Sequence, residues 1–116
     1  MTIQRFHVGP RMSLVAVHGG IAYLAGIVAD NRAGTSVAEQ TKEILGKIDG
    51  YLAEAGTDKS KAFKASVWLR DIKDFDEMNS VWDKWIDPAN PPVRACVESR
   101  MAFPDVLVEI QVTAAV

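Results

Sequence analysis

Along the 116-residue chain the spacing of apolar positions changes several times, and each change of period marks an element. Residues 12–18 (MSLVAVH) and 21–25 (IAYLA) are short runs rich in strand-forming side chains, separated by Gly19-Gly20. That spacing predicts an antiparallel hairpin, because a two-residue hairpin turn needs left-handed backbone that glycine adopts without cost. A shorter strand is expected around residues 3–6, closed by Gly9-Pro10.

After a turn at Asn31-Arg32-Ala33-Gly34, the sequence Ser36-Val37-Ala38-Glu39 matches a capping box and should start a helix. Apolar residues then recur at three- and four-residue steps through Ile44, Leu45, Ile48, Tyr51, Leu52 and Ala55, with Glu43 and Lys47 spaced for an ion pair and Gly56 as the stop. From residue 61 to 70 the period drops to two: Phe63, Ala65, Val67 and Leu69 alternate with Lys64, Ser66, Trp68 and Arg70, as in a strand. Asp74 is the expected cap of a second helix carrying Phe75, Met78, Val81, Trp82 and Trp85, which the proline-rich residues 87–92 end. Two further strands, 93–101 and 106–114, read as a hairpin joined through residues 102–105.

Strand parity puts Arg94, Cys96, Glu98 and Arg100 on one face, and Val108, Ile110, Val112 and Ala114 on an apolar face of the partner. Two helices can cover one side of a five- or six-stranded sheet, an α+β arrangement, with Phe63, Val67, Leu69, Val97, Val108, Ile110 and Val112 expected beneath them. Trp68, Leu107, Arg94, Cys96, Glu98, Glu109, Gln111 and Thr113 are then expected together on the open face. Residues 12–18 are apolar on both sides, Leu14/Ala16 and Val15/Val17, which calls for burial on both sides. Association of copies through the open face, with polar groups in clefts at the subunit borders, satisfies this; a monomer with a solvated face is the alternative.

Composition narrows the function classes. With 48% hydrophobic residues, 24% charged and a net charge of −2, the chain carries no electrostatic footprint for duplex DNA or an anionic membrane, and nucleic acid is a disfavoured partner. Cys96 is the only cysteine, so no internal disulfide can form, and with only His7 and His18 beside it the soft-ligand set is too thin for structural zinc. No metal is expected, and a reducing, cytoplasmic setting fits. No apolar run reaches the roughly 20 residues of a membrane span, and the first residues lack the apolar core of a signal peptide. One domain over residues 1–116 is expected.

Two side chains stand out for chemistry. Arg94 follows Pro92-Val93, so a stiff loop fixes its origin, and its planar guanidinium can clamp a carboxylate bidentately; a structural ion pair would use the same geometry. Glu109 lies within the apolar run VLVEIQV, where desolvation would raise its pKa toward the range useful for proton transfer; a pair with Arg94 or Arg100 is the competing role. Cys96 has no histidine placed to activate it and reads as a small apolar residue. His18 is expected at a hairpin end, His7 in a mobile N-terminus, and Trp82 and Trp85 in the core. No phosphate loop, zinc motif or dinucleotide fingerprint is present.

The run Pro92-Val93-Arg94-Ala95-Cys96-Val97-Glu98, then Pro104 and Val108-Glu109-Ile110, closely resembles the C-terminal motif of the RidA (YjgF) family. Further matches are Gly9-Pro10, Gly26, the helix end Ala53-Glu54-Ala55-Gly56, and Leu69-Arg70-Asp71-Ile72-Lys73-Asp74-Phe75 before Met78-Asn79. The resemblance implies a chorismate-mutase-like (ferredoxin-like) fold, a mixed sheet of about six strands with two helices on one face, assembled as a homotrimer with clefts at the subunit interfaces. It also implies hydrolysis of reactive 2-enamine/2-imine intermediates such as 2-aminoacrylate and iminopyruvate to 2-keto acids and ammonia, a damage-control role needing no cofactor. By that resemblance Arg94 binds the substrate carboxylate and Glu109 positions or activates water. Cys96, Asn79, Ala25 and Gly26 contribute to the substrate cleft.

Two positions depart from the family pattern. Arg11 stands where many deaminase members have tyrosine after Gly-Pro, and Ala25 where they have serine before the glycine. Loss of a phenol and a hydroxyl removes two hydrogen-bond partners, and Arg11, if it points inward, adds a cation suited to a more acidic substrate. The leading expectation is therefore a 2-iminobutanoate/2-iminopropanoate deaminase-type hydrolase. The alternative is a non-catalytic protein that binds or senses a small carboxylate in the same cleft. Ribonuclease or translation-inhibitor activity, the third class, is opposed by the lack of clustered Lys and Arg.

Overall fold

Strands β1 (Gln4–Val8), exposed except for the half-buried Phe6, β2 (Ser13–His18), mostly half-buried around Val15, and β3 (Ile21–Leu24), where burial alternates, build the first half of the sheet in the structure, a computed structural model that describes residues 2–116. The β2–β3 hairpin closes as expected: His18 pairs with Ile21, and Gly19 and Gly20 take φ of 60° and 78°. Helix α1 (Val37–Glu54) follows, then β4 (Ala62–Leu69), α2 (Phe75–Trp85), β5 (Val93–Glu98) and β6 (Val108–Ala115). The six strands order as β1-β2-β3-β6-β4-β5, with β4 and β5 parallel and every other pair antiparallel. Both helices lie on one face, which gives the α+β, chorismate-mutase-like arrangement that the resemblance implies.

Ser36 caps α1, its Oγ accepting from the Glu39 N–H at 3.1 Å, and Gly56 ends the helix at φ 83°. The buried stripe includes Ile44, Leu45, Ile48 and Leu52 together with Gln40 and Thr41, which the apolar pattern does not reveal. Glu43 and Lys47 do not pair with each other. Glu43 accepts from the Asp30 and Asn31 backbone, and Lys47 Nζ donates to the Val28 carbonyl and to Asp30, so both staple the loop after β3 to the helix. Asp74 makes no side-chain cap; Asp71 instead caps a short 3-10 turn, Ile72–Asp74, that leads into α2. His7 is not loose: at φ 53° its ring turns onto α1, with Nε2 2.7 Å from Glu54 Oε2 and its edge on Tyr51.

The largest departure from the sequence expectation is the C-terminal hairpin, which does not form. β5 returns parallel to β4 after α2, a β-α-β unit, and residues 99–107 carry the chain back so that β6 inserts between β3 and β4. A connection that long lacks the short turn that sets hairpin register. The parallel register places Arg94 beside Ala65, Cys96 beside Val67 and Glu98 beside Leu69, all on the helix side. Val97 is therefore on the open face and half exposed, and Phe63 is turned outward by the irregularity between Ala62 and Lys64.

The open face is a continuous surface. Rows of paired residues run Ala16–Tyr23–Thr113–Lys64–Val93, Gln111–Ser66–Ala95 and Glu109–Trp68–Val97 across the strands. Tyr23, Val93 and Val97 are at least 48% exposed, and all three are large apolar groups on an otherwise mixed surface. Among the described residues no helix is long and apolar enough to cross a membrane.

Candidate functional site

Arg94 enters on the edge strand β5 and reaches under α2. Phe75, Asn79 and Trp82 recur there at four- and three-residue steps, so one stripe of the helix presents two rings and an amide to the guanidinium. Arg94 Nη1 donates to Asn79 Oδ1 at 2.8 Å, and the guanidinium carbon lies 5.0 Å from the Trp82 ring centroid and 5.9 Å from that of Phe75. Trp82 is thus both core, as its spacing suggests, and a wall of the arginine site. Among the described residues no carboxylate pairs with Arg94, so the structural ion pair is not its role and its remaining N–H groups are available to a ligand.

Cys96, two residues along the same face, is partly covered by the core; burial pushes its thiol pKa up and the Arg94 charge only partly opposes this. A thiol held protonated is a poor nucleophile. Glu98 is occupied as an acceptor for the Ile72 N–H at 3.0 Å.

Glu109 belongs to a second cluster on the open face. The backbone after β3 is pinned there by Ala25 N–H to the Leu14 carbonyl and by a reciprocal pair between Ile27 and Ile110. Gly26 therefore lies against Glu109: a Cβ added to Gly26 would sit 2.1 Å from Glu109 Oε2. The missing side chain makes room for the carboxylate, and Trp68 is the cross-strand partner of Glu109 on the other side. Desolvation raises the Glu109 pKa, and among the described residues no cation lies within ion-pairing distance to oppose it. The expected pair with Arg94 or Arg100 is absent.

The structure thus brings Arg94, Asn79 and Cys96 together, and Glu109, Gly26 and Ala25 together, but sets the two groups on opposite faces of one sheet. Arg94 pairs with Ala65 and Glu109 with Trp68, so the groups are also offset along β4. Arg11 is farther still, exposed in the turn between β1 and β2 at the opposite edge of the sheet. Five strand spacings separate those edges, about 24 Å. A cleft containing all three side chains cannot be made by one chain.

Phe75 is a site residue that the sequence pattern does not single out, although it shares a helical stripe with Asn79. Trp68 lies on the open face with Glu109 as expected, and the β4–β6 register makes the two direct cross-strand partners.

Among the described residues no group of three or more His, Cys, Asp and Glu side chains is placed to hold a metal ion.

A family model described as endoribonuclease L-PSP matches residues 2–116. A RutC family protein of Haemophilus influenzae is 44% identical over 114 residues, covering 98% of each chain, and the RutC family protein YoaB of Escherichia coli K12 is 36% identical over the whole of both. A crystal structure of a YjgF family member from Neisseria meningitidis superposes with a TM-score of 0.95 at 44% identity, covering 99% of this chain and 95% of that one. With the match running through both halves of the candidate site, the chain belongs to the YjgF/RidA/RutC family.

Proposed function

We propose that the protein hydrolyses reactive 2-imino acids and their enamine tautomers to 2-keto acids and ammonia, in clefts formed between the subunits of a homotrimer in the cytoplasm. The observation that carries this reading is that one chain presents a pre-set, carboxylate-free guanidinium at Arg94 and, on the opposite face of the sheet, a partly desolvated carboxylate at Glu109. Family membership supports the same role.

In this mechanism the substrate carboxylate accepts from the free N–H groups of Arg94, whose orientation Asn79, Trp82 and Phe75 hold. Glu109 takes a proton from water as its oxygen adds to the imine carbon, and the C=N electrons go to nitrogen, which is protonated to an amine. Glu109, having returned its first proton to that nitrogen, then carries the hydroxyl proton of the tetrahedral adduct to the amine, the C–N bond breaks to release ammonia, and the C=O bond forms. A carboxylate with a raised pKa is suited to carry the proton in both directions. Cys96 serves as a wall and not as a nucleophile.

Because Arg94 and Glu109 face opposite sides of their own sheet, one subunit supplies the arginine and another the glutamate. The exposed Tyr23, Val93 and Val97 on the open face give that association its apolar area. Arg11, at the far edge, can approach an arginine cleft only from a neighbouring subunit.

The test is hydrolysis of iminopyruvate generated in situ by an amino-acid oxidase, with residual imine trapped by semicarbazide, for wild type and Arg94→Ala. Acceleration by the wild type that the variant loses supports the reading. A trimer by light scattering that gives no acceleration refutes it and leaves the second reading, a binder of a small carboxylate, which Arg11 and Ala25 in place of a phenol and a hydroxyl favour. That binder would gain thermal stability with 2-ketobutyrate.

A further inference from the structure

On the surface away from the sheet, α1 and α2 leave a groove of about 430 Å³. Its floor is Leu45 and Val81, Gly46 opens one wall, and Trp85 forms the other, with Lys42 and Lys84 on opposite rims and Asp49 as its one acid. The volume lies in the range of small-molecule sites. Neither Arg94 nor Glu109 touches it, so nothing about it rests on the proposed hydrolysis.

Three observations give the groove a ligand chemistry. Gly46 stands inside an α-helix, where glycine costs about 1 kcal/mol relative to alanine. Nothing lies within 4 Å of where its Cβ would be, so packing does not require the glycine, and its effect is to keep the groove open. The Trp85 indole is fixed in place: its Nε1–H donates to Asp49 Oδ1 at 3.0 Å, its ring is tilted on Trp82 at 5.3 Å, and Lys59 Nζ sits 5.4 Å from its centroid. Asp49 is thereby engaged, whereas Lys42 and Lys84 have no ion-pair partner among the described residues. A rigid aromatic wall, an apolar floor and two unpaired cations on the rims suit a flat apolar body with one negative charge.

We propose that this groove binds a small planar aromatic carboxylate, its ring on Trp85 above Gly46 and its carboxylate held by the rim lysines. The probe is 2-naphthoate, titrated into uniformly 15N-labelled protein while the Trp85 Nε1–H and Gly46 N–H resonances are followed. Saturable shifts at both are expected. Gly46→Leu, which fills the open wall, should weaken binding at least about tenfold, and Lys84→Glu several-fold, as expected for reversing a charge beside an anion. Arg94→Ala should bind as the wild type does. Both groove variants change solvent-facing positions, and a wild-type pattern of unaffected resonances confirms their fold; should Gly46→Leu fail to fold, Lys84→Glu carries the comparison. No saturable shift at Trp85, equal affinity for uncharged 2-naphthalenemethanol, undiminished binding by the groove variants, or loss on Arg94→Ala would each overturn the proposal.

Discussion

Replacing Gly26 by alanine tests the Glu109 half-site with a single methyl group. The new Cβ would lie 2.1 Å from Glu109 Oε2, 3.0 Å from its carboxyl carbon and 3.4 Å from Cγ. Moving the oxygen out to 3.0 Å, the lower limit for real Cβ contacts, takes a displacement of about 0.9 Å. What must move is the far end of a flexible side chain, so the fold is retained. Gly26 is not among the glycines with positive φ, and alanine there should be neutral or stabilising by about 0.4–1 kcal/mol through the unfolded chain. The catalytic effect is of another size, because a displacement near 1 Å at a reacting group costs about 10²-fold in rate. Gly26→Ala is therefore expected to lower kcat for iminopyruvate about a hundredfold, with Tm unchanged or raised and the stabilisation by 2-ketobutyrate unchanged, since Arg94 is untouched. Activity within about threefold of wild type, in a protein whose crystal structure shows the carboxylate displaced, would refute the assignment of Glu109 to the water.

Three other outcomes follow from the same geometry. Glu109→Gln should be more stable than wild type at neutral pH: burial raises the folded-state pKa of Glu109 above its unfolded value, so the ionised form penalises folding, and in parallel urea titrations the difference should shrink once pH falls below that raised pKa and vanish below the unfolded value. Gln40→Leu should lose about 2–4 kcal/mol by urea unfolding, because the buried amide donates to Thr35 Oγ1 and the Asp105 carbonyl and accepts from the Leu107 N–H, all left without that partner. Cys96→Ala should keep kcat for iminopyruvate within about threefold, since a thiol whose pKa burial has raised does not act as the nucleophile, and a loss of about a hundredfold would refute its passive role as a wall.

Elements whose signals are local were legible in the sequence. Ser36 and Glu39 mark the start of α1, Gly19-Gly20 the hairpin, and the period of two the strand around Val67, because each depends on neighbours within a few residues. Register between distant strands has no such signal. Residues 93–101 and 106–114 are adjacent in sequence and equally strand-like, so a hairpin was the nearest reading, yet the preceding strand and helix make β5 the closing strand of a β-α-β unit.

That one topological difference changes what the site requires. In a hairpin, Arg94 and Glu109 would share one face and a single chain could hold both. With β5 parallel to β4, Arg94 is carried under α2, where Phe75, Asn79 and Trp82 surround its guanidinium, a placement that spacing alone did not disclose. Glu109 stays on the open face beside Gly26 and Trp68. Strand β2, apolar on both sides, calls for association, and the site calls for it more strongly, since two groups on opposite faces of a sheet act on one small substrate only across a subunit border. Dilution below the trimer dissociation constant should therefore abolish imine hydrolysis while each chain keeps its fold, and mixing inactive Arg94→Ala with inactive Glu109→Gln should restore part of the activity. Monomers that retain full activity at the same dilution, or mixed trimers that stay inactive, would rule out the shared cleft.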